Sequence, residues 1–404
     1  MSSDLKARHE LAAVWARFCD SLKQQGEALL AGSRGPISDQ EFAEGIRHLG
    51  RIAVHALQSR VEFRDADFPG FYRVCDDRNR WGAPNADTLY LMAPYRGDSV
   101  YRIRGNCFGR RFVIGRLWSD SDSFRWEHDG SFEVVLSAQP RPGNWIRIAP
   151  DVDGADGVTG NHPGLGGSIL VKIFDENWSS ELPGVRMTIE RIDTGRPDYP
   201  PPLTPALMAR RLMDAETLAR ETWDFYEHHQ NVMREMVPTN ELSAPVTAII
   251  PGLKPDIGDS PLLYGFGFFA LEPDEAWLIE CDVPAEGHWS FQLYSRWYES
   301  LEFQHRQSSI NRLQALIDDD GRFRAVISAT DPGTVNWIDS EGHLQGCLIY
   351  RWLRCNVTPT ATARVVKLSN LAELLPSKHF DLDARRRSEA LSSRARHFSH
   401  LYQS

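Results

Sequence analysis

DGRFRAVISATDPGTVNWI, residues 320–338, echoes a stretch already present as DGSFEVVLSAQPRPGNWI, residues 129–146. Their first ten letters agree at six positions, and Asn-Trp-Ile closes both. Each is a short alternating run of Val, Ile, Phe and Ala cut by Gly, Pro and Asp, the texture of antiparallel strands and turns. The agreement extends outward in the same order. APYRGDSVYRIRG (93–105) matches FALEPDEAWLIEC (269–281) as strand, turn and strand, and Arg116-Leu117-Trp118 falls where Ser295-Arg296-Trp297 falls. GSILVKIF (167–174) matches GCLIYRWL (346–353), and VRMTIERI (185–192) matches ATARVVKL (361–368). Collinear matches of this kind predict an internal duplication of a β-unit of about 100 residues, far longer than a solenoid period. Similar strand composition without common origin is the alternative.

The segments around the repeats are helical. Leu11, Trp15, Phe18, Leu22 and Leu29 recur at helical spacing, and Ser38-Asp39-Gln40-Glu41 has the form of a capping box opening a second helix. His48 and His55 fall seven apart on that helix, hence on one face, but two histidines without a third ligand read as surface or core residues. A linker with five prolines from Pro197 to Pro205 leads into a helix start at Thr204-Pro205, with Met208, Leu212, Ala215, Leu218, Thr222 and Phe225 along one face. A second connector carries Pro238, Pro245, Pro251, Pro255 and Pro261. The expected fold is mainly β with helical additions (α+β). Two duplicated antiparallel β-sandwich units, jelly-roll-like, are joined to an N-terminal helical hairpin and a long connecting helix. The expected divisions are 1–62 (N-terminal helical region), 63–196 (first sandwich unit), 197–261 (proline-rich linkers and connecting helix), 262–370 (second sandwich unit) and 371–404 (C-terminal helical tail).

Composition narrows the function classes. A formal net charge of -10 disfavours a phosphate-backbone partner, because that affinity comes from Lys and Arg displacing counterions. The run Arg385-Arg386-Arg387 reads as a solvated helix face. No apolar run reaches the roughly 20 residues of a membrane helix, and MSSDLKARHELAAVWARF lacks the features of a secretory signal, so a cytoplasmic location is expected. Cys19, Cys75, Cys107, Cys281, Cys347 and Cys355 are scattered without finger spacing, which predicts reduced, mostly buried thiols. The Asn177 and Asn356 sequons accordingly carry no glycosylation reading.

With these landmarks placed, the chain resembles the bacterial DUF1254 family in its first half and the bacterial DUF1214 family in its second. HWSFQLYSRWYES, the string DDDGRFRAVISATDPGTVNWIDSEGHLQG and the closing YRWL carry the second resemblance; NADTLY (85–90), YRIRG (101–105) and PGNW (142–145) carry the first. Asn85-Ala86-Asp87-Thr88 departs from the Asn-Pro-Asp-Asn more frequent in longer members. The resemblance implies β-sandwich domains with helical additions and brings no reaction with it.

Several residues stand out chemically. Lys172 in GSILVKIF and Arg351 in GCLIYRWL occupy matched strand positions among apolar neighbours, so each must reach water or meet an anion. Either a structural salt bridge, with Glu190 or Asp331 as partner, or recognition of a substrate anion would satisfy them. The string Asn336-Trp337-Ile338-Asp339-Ser340-Glu341-Gly342-His343 diverges from its counterpart Asn144-Trp145-Ile146-Arg147-Ile148-Ala149, and divergence from a shared template is a place to seek specialisation. Asp339 and His343 form a candidate general base oriented by a carboxylate, with Asn336 and Trp337 as candidate substrate contacts. The competing reading is a turn in which Asp339 bonds its own backbone. Ser340 lies in no nucleophile elbow, and Asp331-Pro332-Gly333 reads as a turn. In the loop Arg80 to Tyr90, Asn85, Asp87 and Tyr90 are further candidate substrate contacts. Trp118, Trp145, Trp289, Trp297, Trp337 and Trp352 all lie in the repeats, where tryptophan serves as core or as a flat ligand platform. His288, His305 and His343 are isolated in sequence, and no Gly-rich phosphate loop occurs, so neither a metal nor a nucleotide cofactor is expected. Two functions remain. One is a metal-independent hydrolase or lyase acting on a small apolar or sugar-like molecule with a polar or anionic group. The other is a non-catalytic binder of a carbohydrate or hydrophobic metabolite. Under both, the expected partner is a small molecule, not nucleic acid or membrane, and self-association into a homo-oligomer stays open.

Overall fold

The computed structural model describes residues 3–32, 37–114, 119–148, 167–178, 182–247 and 262–403. Arg116-Leu117-Trp118, Pro251, Pro255 and Pro261 lie outside the described residues. The chain divides into two compact units: Met1–Trp81, Leu89–Phe174 and Pro183–Glu227 form one, while Gly82–Thr88, Asp175–Leu182 and His228–Ser404 form the other.

Helix α1 (Ser3–Leu30) and helix α2 (Asp39–Leu57) make the predicted hairpin. The Ser38 hydroxyl accepts from Glu41 N at 3.1 Å and the Glu41 carboxylate accepts from Ser38 N at 2.8 Å, so two backbone donors that the helix itself leaves unbonded are satisfied reciprocally. His48 and His55 are core residues, their rings stacked or tilted against Trp223 and Trp81. Helix α3 (Pro205–Met236) begins at the predicted proline, with Thr204 Oγ1 accepting from Leu207 N, and buries Leu212, Ala215, Leu218 and Thr222.

The first unit's strands are β1 (Tyr72–Cys75), β2 (Thr88–Pro94), β3 (Tyr101–Asn106), β4 (Phe112–Ile114), β5 (Ser119–Asp120), β6 (Ser131–Ser137), β7 (Asn144–Arg147), β8 (Ser168–Phe174) and β9 (Arg186–Arg191). The second unit has β10 (Leu262–Ala270), β11 (Glu275–Asp282), β12 (His288–Tyr294), β13 (Ser309–Asn311), β14 (Arg322–Ser328), β15 (Trp337–Asp339), β16 (Gln345–Leu353) and β17 (Thr362–Lys367), followed by helices α4 (Leu371–Leu374) and α5 (Ala384–Gln403). Their sheet orders answer the question the repeat raised. One pair of sheets reads β7-β6-β3-β9 and β15-β14-β11-β17; the other reads β1-β2-β8-β4-β5 and β10-β16-β12-β13. Among the described residues each strand of the second unit has a counterpart in the same sheet position of the first, and β1 is the one strand without a counterpart. Even the exceptional pairing recurs, since β7 runs parallel to β6 and β15 runs parallel to β14. Composition alone would not reproduce a parallel edge twice.

The letters that repeat are those that perform the same bond twice. Gly130 and Gly321 both hold positive φ (76° and 79°) beside Asp129 and Asp320, whose carboxylates accept from the backbone two residues on. Ser137 and Ser328 donate to backbone carbonyls of Gln139 and Thr330. Asn144 donates to Glu133 O and Arg125 O, as Asn336 donates to Arg324 O and Leu316 O. Trp145 Nε1 bonds Ser137 O, and Trp337 Nε1 bonds Ser328 O.

Between the second unit's two sheets lies one core in which Trp289, Phe291, Tyr350 and Trp352 from one sheet meet Trp277, Ile279, Phe323 and Ile327 from the other. Trp289 and Trp352 are therefore packing residues, not ligand platforms. All six cysteines are free thiols, four of them buried. Among the described residues no helix is long and apolar enough to cross a membrane.

Candidate functional site

The loop containing Asn85 and Asp87 belongs to the second unit, where polar side chains fix it. Asn85 Nδ2 donates to Ser290 Oγ and its Oδ1 accepts from Asp87 N. Gln292 accepts from Ala86 N and donates to Pro84 O, to which Ser300 also donates. This brings Asp87 to His288, at the start of β12: Asp87 Oδ2 lies 3.4 Å from Nε2, and Glu176 Oε2 lies 2.7 Å from Nδ1. Arg312 holds the same Glu176 through Nε and Nη2 (2.9 and 3.2 Å), and Asn311 Nδ2 donates to both Asp87 Oδ1 and the Glu176 carbonyl. Burial lowers the proton affinity of His288, but the two carboxylates outweigh it and raise its pKa to about 9. Burial acts against ionised Glu176, yet His288 and Arg312 bring its pKa down to about 2. At neutrality the imidazole is thus an imidazolium. A ring already charged and held at both nitrogens is not a base for a substrate proton, and the array ties the Asp87 loop and Glu176 to β12 and Arg312.

A different group faces open space. A cleft of about 580 Å³ is lined by Glu302, His305, Arg306, Gln307, Asp331, Trp337, Asp339, Arg387 and Leu391. Its floor comes from the loop after β12 and from β15. Glu302 accepts from the backbone of Gln304 and His305, which folds the loop so that His305 Nδ1 lies 3.4 Å from Glu302 Oε1. The His305 side chain stays 57% exposed. Behind it, Arg394 of α5 donates to Phe303 O and Ser309 O, and Ser308 donates to Glu302 O, which anchors the loop at three points. Arg306 Nη1 donates to Asp339 Oδ2 at 2.8 Å, and Arg387 grips Asp331 through Nε and Nη2 while its guanidinium lies 5.2 Å from the Trp337 ring centre.

Of the predicted residues, Asp339 and Trp337 therefore meet in one cleft, and His343 is not in its lining. His343 is buried. The Asp339 carboxylate accepts from Arg306 and from Glu341 N, and Ser340 Oγ donates to His343 O, so the Asp-Ser-Glu-Gly string makes a turn with Glu341 and Gly342 at positive φ. Asn336 is 1% exposed with its amide bonded to Leu316 and Arg324 backbone, a strut under Trp337. Arg351 is buried on β16, where Nη2 donates to Ala83 O at 3.5 Å and the guanidinium lies over Tyr264 and Tyr294. Lys172 is half-buried on β8 opposite Val113, and Tyr90 is half-buried on β2 opposite Cys75. The partners foreseen for the two cations are engaged elsewhere: Asp331 by Arg387, and Glu190 by Arg102 and Arg104. Asp331 also accepts from Gly333 N, the predicted turn. Sequence reading missed Glu302, His305, Arg306 and Arg387 as one group. The only local signal was Glu302 three residues before His305, the spacing of a carboxylate that caps a turn.

Comparison with known proteins gives a family and a fold. The model of the family described as protein of unknown function (DUF1214) matches residues 270–354, which hold β11 through β16. A crystal structure of an uncharacterized protein from Burkholderia cenocepacia is 31% identical, covers 90% of this chain and 99% of its own, and superposes with a TM-score of 0.77. The VPA0106 protein from Vibrio parahaemolyticus is 12% identical over 78% of this chain and 98% of its own, with a TM-score of 0.41. No curated protein matches the chain.

Proposed function

The chain belongs to the DUF1214 family, which brings no reaction with it; from the cleft beside Trp337 we propose that it is a small-molecule enzyme of hydrolase or lyase type, working by acid–base chemistry there. One observation carries the reading. An exposed imidazole, His305, has Nδ1 3.4 Å from a carboxylate oxygen of Glu302, in the same cleft as the Arg306 and Asp339 pair and a tryptophan ring. A neutral imidazole has one nitrogen that donates and one that accepts, a carboxylate beside one of them favours the tautomer that presents the other, and an arginine offers a polar or anionic group somewhere to bind. His305 takes the part first sought at His343. Asp339 orients Arg306 instead of a histidine.

The test is mass spectrometry of a metabolite extract incubated with the wild-type protein, with His305→Ala and with Asp339→Asn. The reading expects a metabolite consumed and a product formed by the wild type, with turnover down about 10²- to 10⁴-fold in His305→Ala, the usual worth of a positioned acid–base group. A second reading, binding without chemistry, draws support from the openness of the cleft and from arginines already paired with aspartates. Metabolites retained unchanged and equally by wild type and His305→Ala would select it. Turnover unaffected by His305→Ala would remove the acid–base part given to His305.

A further inference from the structure

Beside the cleft at Trp337 lies a second lobe that shares four lining residues with it. This lobe, about 670 Å³, has His305, Asp331, Arg387 and Leu391 in common with the first. The two are chemically unequal. The first holds Glu302, Arg306, Asp339, His305 and Trp337. In the second one wall is a single face of α5, on which Arg387, Leu391 and Ala395 follow at four-residue intervals with Ser388 and Ser392 beside them. From Arg387 to Ala395 that face runs about 12 Å at 1.5 Å per residue. Small side chains at three of these positions keep the helix from filling the groove. A compact metabolite placed at His305 would leave the second lobe to water.

The acidic residues of the lining have structural duties. Asp331 is held by both prongs of Arg387, Asp383 accepts from Arg386 N at the start of α5, and Glu302 accepts from two backbone amides. Arg306 differs: it is half-exposed and held through Nη1 by Asp339, while a guanidinium offers five N–H donors. We propose that the substrate class of this site is a linear amphiphilic carboxylate, its head group at Arg306 beside His305 and its chain laid along α5 over Leu391, Ser392 and Ala395. The proposal rests on the reading of this cleft as the ligand site.

Isothermal titration of the full chain with n-alkyl carboxylates from butyrate to decanoate, against n-alkylamines of equal length, tests it. Affinity for the carboxylates is expected to rise about two- to fourfold per added methylene, from the apolar area each buries. Arg306→Gln should weaken every carboxylate by about tenfold or more, the loss of a charged hydrogen bond. Ser392→Phe, on an exposed helix position, should flatten the rise for the longer chains and leave butyrate unchanged, and Ala395→Leu should do the same more mildly. Equal affinity at all lengths, preference for amines, or carboxylate binding indifferent to Arg306→Gln would overturn the substrate class while leaving the cleft intact. Absence of binding by either series would overturn it together with the cleft. Length-dependent carboxylate binding beside turnover untouched by His305→Ala would uphold this inference and remove only the chemistry assigned to His305.

Discussion

His288 and Asn336 show how much of this protein's polarity is structural. His288, raised to about 9 by Asp87 and Glu176 after burial has acted the other way, binds its proton more tightly folded than unfolded. Its contribution is therefore complete below the unfolded value of roughly 6.5 and disappears as pH rises through about 9. Glu176, at about 2, behaves oppositely: its contribution is complete above roughly 4.5 and fades as pH falls toward 2. Denaturant unfolding across pH should accordingly show a plateau near pH 5 to 6.5 and a decline above it that His288→Gln largely removes. At pH 6 His288→Ala should cost about 3 kcal/mol, the scale of breaking a buried ion pair from one side. A variant whose stability profile above pH 6.5 still parallels the wild type would show that the imidazolium is not what holds the array. The asparagines of the repeat offer a paired comparison. Asn336, fully buried with three backbone partners, should cost about 2–4 kcal/mol on change to Ala, and half-buried Asn144 about 1 kcal/mol, because only the first leaves buried backbone groups without partners. Equal losses in urea titrations would refute the burial argument.

At the scale of elements, β10 explains a pattern that reads oddly for a strand, YGFGFF. Gly265 and Gly267 point to one face, and something passes close to each. A Cβ on Gly265 would meet the Tyr350 ring at 1.9 Å, and one on Gly267 would meet Glu241 O at 2.2 Å and Leu242 Cδ2 at 2.7 Å. The second approach comes from the connector after α3. Its Asn240 N, Ser243 N and Val246 N donate to Phe268 O, Phe266 O and Tyr264 O, so part of a proline-rich stretch covers the open edge of β10. Pro238 and Pro245 suit such a stretch, since neither has an N–H to leave unbonded. Gly267→Ala should thus cost about 2–3 kcal/mol as overpacking against backbone that has no rotamer to change. A thermal melt indistinguishable from wild type would mean the connector yields freely. Glycine in a strand is the signal that could have placed this contact from sequence, but the identity of what approaches it is a matter of tertiary structure.

For the whole molecule, the duplication was legible because the shared letters, Asp-Gly, Ser and Asn-Trp, each repeat one local bond, and local bonds leave local signatures. Asp339 was legible for the complementary reason, as a departure just beyond that template, while Trp337 belongs to the template itself. Glu176, His288 and Arg312 were not, because an array assembled from residues 112 and 136 positions apart leaves no spacing to read. His305 stayed hidden since its partner matters only once Arg394 has anchored the loop from α5. The same non-local construction yields a prediction at this scale. The second unit is discontinuous, and Gly82–Thr88 and Asp175–Leu182 supply it with Asn85, Ala86, Asp87, Glu176 and Trp178. Ala86 and Trp178 pack with Phe303, Phe398 and Leu401, and Asp87 and Glu176 neutralise His288 and Arg312. A fragment cut where the sequence repeat invites it, residues 262–404, would keep eight strands and both cations but lose both carboxylates and part of the apolar cluster. That fragment should unfold without a cooperative transition, or at a midpoint far below that of the full chain, when followed by circular dichroism. His288→Leu together with Arg312→Leu in the same fragment should recover part of the loss, because the uncompensated charges would be gone. A fragment that melts as sharply and as high as the intact protein would show that the repeat folds on its sheets alone, and that the threaded segments belong to the site rather than to the fold.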